Sequence, residues 1–167
     1  MTTSSGSDFT FNYSASIATN DQISTGNFFR IYDFAGLVGT PTAPAGWTVS
    51  IDNTNPTPPP DVILSKGDLP TVPNLTFTYT WAASIVGPTA IAGFSAVSTF
   101  GNFGQCKDFV GRATKSAGAV GTPVDSVGTV TVPGAVPEPQ AVISMAVGMT
   151  FLVGLGLRRR LSRNPVG

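Results

Sequence analysis

From Phe9 to Val132 the chain alternates apolar and polar residues in short stretches, and no stretch before residue 140 sustains a helical period. Phe9, Phe11 and Tyr13 fall on one face, with Thr10, Asn12 and Ser14 on the other, which predicts a half-buried strand. The denser run Phe28-Phe29-Arg30-Ile31-Tyr32-Asp33-Phe34 predicts a central strand buried on both faces. Trp47–Ile51 and Val62–Leu64 read as brief strands. The clearest alternation is Asn74–Trp81, with Leu75, Phe77, Tyr79 and Trp81 on the odd face and three threonines on the even one. Ile91–Phe100, Phe109–Thr114 and Val127–Val132 complete the pattern.

Turn chemistry separates these stretches. Gly26 and Gly87-Pro88 interrupt the alternation, and the prolines between Asn53 and Pro60 cannot donate to a ladder, so that segment reads as a surface loop. About eight short strands at such spacing predict an all-β fold, an antiparallel β-sandwich with a jelly-roll arrangement as the alternative. The expected organisation is a disordered polar leader over 1–8, a β-sandwich over 9–133, a linker over 134–140, a transmembrane helix over 141–157 and a basic cytoplasmic tail over 158–167. The leader has no apolar run and cannot act as a secretory signal.

Composition narrows the chemistry. Glycine and proline are abundant at 19 and 14 residues, and charged residues make up only 11% of the chain. Residues 1–136 hold eight aspartates against five cations (Arg30, Lys66, Lys107, Arg112 and Lys115), a net of −3. A mildly acidic domain lacks the basic face that binds nucleic acid. Cys106 is the single cysteine, so no intrachain disulfide forms, and its simplest role is a small buried thiol.

The chain has no histidine, which excludes Ser-His-Asp and Cys-His catalysis and removes the commonest metal ligand. The aspartates are scattered, with neither the close carboxylate pair of an acid–base mechanism nor a clustered calcium loop. Asp33, within the aromatic run, is the one most worth following; a strand-end aspartate usually bonds to a backbone turn. No catalytic residue, metal site or cofactor is expected. Trp47 and Trp81 are the candidate contacts to a sugar, although aromatics on alternating strands belong more often to a core.

The final thirty residues follow other rules. Ala141 to Leu157 are seventeen residues without a charge. As a helix they would rise roughly 25 Å, slightly short of a ~30 Å hydrocarbon core. Eight of them are Leu, Ile, Val or Phe, contributing roughly −2.4 to −4.8 kcal/mol to insertion, which the interspersed glycines partly offset. Arg158, Arg159, Arg160 and Arg163 follow without a counter-charge and would hold that side in the cytoplasm.

Val136-Pro137-Glu138-Pro139, the Gly- and Leu-rich apolar stretch and Arg158-Arg159-Arg160 together resemble the PEP-CTERM sorting domain of Gram-negative bacteria. The resemblance covers about Val136 to Arg163. It implies recognition by exosortase, a multi-spanning membrane enzyme thought to act as a cysteine-type transpeptidase. Pro137, Glu138 and Pro139 would be the sorting motif and the four arginines the membrane stop. Two prolines keep such a segment extended and open to an enzyme. On this reading the chain is exported, passes through an inner-membrane-anchored stage and reaches the cell surface or extracellular matrix. A secretory signal is then expected upstream of Met1. The runner-up is a displayed module that binds exopolysaccharide.

Overall fold

The computed structural model describes residues 2–5, 8–53, 57–101 and 103–134. Contacts divide the chain into two units between Ala135 and Val136. Only the first unit falls among the described residues, and the tail expected to carry the sorting signal lies outside them.

The described residues form an all-β fold with antiparallel sheets and no helix. The strands are β1 (Thr2–Ser5), β2 (Asp8–Ile17), β3 (Asp21–Ile23), β4 (Phe28–Ile31), β5 (Leu37–Thr42), β6 (Trp47–Asp52), β7 (Asn74–Tyr79), β8 (Ile85–Val86), β9 (Thr89–Ser98), β10 (Phe103–Lys115) and β11 (Pro123–Pro133). One sheet has the order β1-β2-β9-β5. In the other, β11 pairs along β10 for nearly its whole length, so β4 and β3 must share the opposite edge of β10, end to end. Gly26, at φ +87°, sits in the break between them. Beyond β4 lie β7 and β6, and beyond β3 lies β8.

The two sheets face each other across one aromatic core. Phe11, Phe94 and Ala96 come from the first sheet, and Ile31, Trp47, Leu75, Phe77, Tyr79 and Val132 from the second. Phe94 meets Phe29, Phe77 and Trp47 at ring-centroid distances of 4.8, 5.2 and 5.1 Å, each edge to face, the arrangement ring quadrupoles favour. This sandwich-like packing is what the alternation at Phe9–Tyr13 and Asn74–Tyr79 encodes.

Several expectations are corrected. The leader contains a strand, since Thr2–Ser5 pairs antiparallel with Phe11–Asp8, and ladder bonds use backbone that Thr and Ser supply as well as apolar residues do. The central aromatic strand stops at Ile31, because Asp33 turns into the left-handed region at φ +56°. Tyr32 and Phe34 beyond it are nonetheless fully buried. Val62–Leu64 is irregular, and Ile63 is 84% exposed. On β7 the face bearing Thr76 is covered too, where Arg30 of the neighbouring β4 donates from Nε to Thr76 Oγ1 at 2.8 Å.

Candidate functional site

Two features stand out in the folded unit: a cleft between the sheets and a buried polar cluster beside the irregular segment 57–73.

The cleft has a volume of about 430 Å³ and opens between β2 and the strands β3, β4, β10 and β11. Phe29, Ile31 and Trp47 contribute apolar lining, while Asp21 and Arg112 supply charge. Both charges are already paired, Lys115 Nζ with Asp21 at 2.7 Å and Arg112 Nε with Asp125 at 2.7 Å. Tyr13 also lines the cleft, and its hydroxyl donates to the Thr131 carbonyl at 3.1 Å, joining the two sheets. Burial pushes the Tyr13 phenol far above its ordinary range, since tyrosinate would be poorly solvated there. Volume and lining suit an apolar small molecule in general terms.

The polar cluster gathers three aspartates that stand far apart in the sequence. Asp108 is 1% exposed, and its carboxylate accepts from Ser65 Oγ and the Lys66 N–H, both at 2.7 Å. Asp33 accepts the Leu69 N–H on Oδ1 at 2.8 Å and lies 2.8 Å from Lys107 Nζ through Oδ2. Its own N–H donates to Asn74 Oδ1, and the Phe34 N–H donates to the Pro73 carbonyl. Asn74 Nδ2 donates to both oxygens of Asp68 at 3.1 and 3.2 Å. Burial and the neighbouring Asp33 push the Asp68 carboxyl up, against the lowering effect of Asn74. These bonds pin the segment to the end of β4 and to β10. Asp33 thus bonds to a backbone turn, as strand-end aspartates do, and adds an ion pair that spacing alone does not reveal. No group of three metal-ligating side chains occurs among the described residues.

The two tryptophans separate. Trp47 is 8% exposed, and its ring is held by Phe29, Tyr79 and Phe94, so it is a core residue at the wall of the cleft and not an exposed platform. Trp81 lies beyond the end of β7 and is 54% exposed. It rests on Gly46, where a Cβ would come within 2.7 Å of its ring. Cys106 is exposed on β10, not the buried thiol expected. Pro137, Glu138, Pro139, Arg158, Arg159, Arg160 and Arg163 lie outside the described residues. Among the described residues no helix is long and apolar enough to cross a membrane.

Compared with protein-family models, with curated proteins and with solved structures, the chain matches none.

Proposed function

We propose that this chain is an exported surface or extracellular-matrix protein of a Gram-negative bacterium, sorted by an exosortase and without catalysis of its own. The observation that carries the reading is the order of signals after the last strand. β11 ends at Pro133, and Pro137-Glu138-Pro139, the uncharged run 141–157 and the arginines at 158–160 and 163 follow in sequence. The motif therefore comes four residues after the last strand, at the distance a short linker provides. The proposed architecture is a β-sandwich ectodomain, with a jelly-roll arrangement as its variant, followed by a transmembrane helix. That helix anchors the chain transiently in the inner membrane, and processing then releases the ectodomain to the surface or matrix.

Intact-mass analysis of the surface-exposed protein from a host that carries an exosortase tests this. A mature C-terminus near Pro137–Pro139 is expected. Surface material that always retained Arg158–Arg163 would sink the processing step.

A second reading, an exopolysaccharide-binding ectodomain, is favoured by one observation. Trp81 lies on the Gly46 backbone and is more than half exposed, as a stacking platform for a pyranose requires. Trp47 is not part of that platform. A polysaccharide pull-down unchanged by Trp81→Ala would count against it.

A further inference from the structure

Asp33 and Lys107 are cross-strand neighbours. The β4–β10 register pairs Ile31 with Phe109, and carrying it on by two residues sets Asp33 opposite Lys107. The Tyr32 N–H donates to the Asp108 carbonyl at 3.1 Å, so the two chains stay together across that step. The Asp33 side chain is 1% exposed and that of Lys107 14%. Lys107 Nζ stands 2.8 Å from Asp33 Oδ2, yet Oδ2 receives no aligned hydrogen bond. The contact is therefore close without having the geometry of a saturated ion pair. Asp33 Oδ1 accepts the Leu69 N–H, and Asn74 links Asp33 to Asp68, its Oδ1 taking the Asp33 N–H and its Nδ2 donating to the Asp68 carboxylate.

We propose that Lys107 and Asp33 condense into an intramolecular isopeptide bond, with Asp68 carrying the proton. An amine and a carboxyl carbon are held together nearly closed to water, with a donor on the carboxyl oxygen and a second, half-buried carboxyl at the margin. The reacting form is the neutral pair, reached when one proton passes from Nζ to Asp33. The amine lone pair attacks Cγ, and the Leu69 N–H faces the oxyanion that develops on Oδ1. Asp68 gives its proton to the departing Oδ2 and takes one from Nζ. The Nζ–Cγ bond forms, the Cγ–Oδ2 bond breaks and one water leaves. Charge is unchanged, nothing is oxidised or reduced, and Asp68 ends as it began. Burial raises the Asp68 carboxyl, the direction that favours its protonated form. Holding the two groups in contact supplies the effective concentration that free lysine and aspartate lack.

The product would be a covalent staple between the end of β4 and β10. The single cysteine, Cys106, leaves the chain no intrachain disulfide for that purpose.

The test is peptide mapping of the folded full-length chain after denaturation and trypsin digestion. Acylated Lys107 is not cleaved, so residues 31–66 should appear joined to residues 67–112, lighter than the two peptides together by one water. Lys107→Arg, which keeps the charge but cannot condense, should give separate peptides at full mass. Asp68→Asn, which cannot carry the proton, should link at least about tenfold more slowly. Separate 31–66 and 67–107 peptides from folded wild type would overturn the bond, and so would loss of water confined to the 31–66 peptide, which marks an internal aspartimide. Linkage in Asp68→Asn as fast as in wild type would overturn the role of Asp68. If Lys107→Arg does not fold, the wild-type peptides alone still decide.

Discussion

Phe94 of β9 stands edge-on to Trp47 of β6 across the space between the sheets, with ring centroids 5.1 Å apart and planes at 89°. The same ring also touches Phe29 and Phe77, so one side chain from the first sheet closes against three from the second. Phe94→Ala should therefore act as a core truncation, leaving a cavity that three rings cannot all collapse into. The expected loss is about 3–5 kcal/mol, a large share of the roughly 5–15 kcal/mol a domain commands. Urea unfolding followed by circular dichroism checks it, and a midpoint close to wild type would show that the sheets do not depend on this contact.

Why the core was legible, and the polar cluster was not, follows from the same geometry. Period-two alternation marks which side of a strand meets the opposite sheet, and it placed Phe11, Leu75, Phe77 and Tyr79 inside, where they are. It carries no information about what covers the outer face. Thr76 and Tyr32 both meet Arg30 on that face, and Asp33, Asp68 and Asp108 converge only through segment 57–73. Trp81 continues the alternation by position but falls outside β7, beyond the Thr80 N–H bond to the Gly46 carbonyl that prolongs the β6–β7 register. The short strands β3, β5 and β8 carry too few apolar residues to register in the pattern, and the ladder of a longer neighbour holds each of them.

Asp108 should be the anchor of that segment. Its two carboxylate oxygens take the Ser65 hydroxyl and the Lys66 N–H, both on exposed residues that water can solvate if released. Asp108→Ala should cost about 2 kcal/mol, the range of hydrogen bonds to a buried charge. It should also speed trypsin cleavage after Lys66 well beyond the change in global stability. Cleavage that rises only in step with global unfolding would assign Asp108 to the core and not to the loop.

Tyr13 sets a limit on stability at alkaline pH. Its phenol is raised in the folded state by burial, against an ordinary value of 10.0 in the unfolded chain. The unfolded state releases that proton first, so stability is intact below pH 10.0 and falls as pH climbs above it. Tyr13→Phe should lose the hydrogen bond to Thr131 but flatten this alkaline limb. Unfolding free energies measured across that range for both proteins check the sign. An equally steep limb in Tyr13→Phe would locate the titrating group elsewhere.

Gly46 supports Trp81 in two separable ways, and the last prediction uses both. Its φ of +83° lies in the left-handed region, so Ala there carries strain of roughly 1–2 kcal/mol before any contact is considered. The added Cβ would also stand 2.7 Å from Trp81 Cδ2, too close for the ring to stay where it is. Gly46→Ala should destabilise the domain and displace Trp81, while Trp47, buried behind Phe29, Tyr79 and Phe94, keeps its environment. Trp81→Phe isolates the Trp47 fluorescence, so the displaced signal is obtained by difference. If Trp81 is the sugar platform, Gly46→Ala should weaken polysaccharide retention about as much as Trp81→Ala does, with the domain still folded. Retention unchanged in a folded Gly46→Ala protein, despite a shifted Trp81 signal, would separate the ring from any binding role.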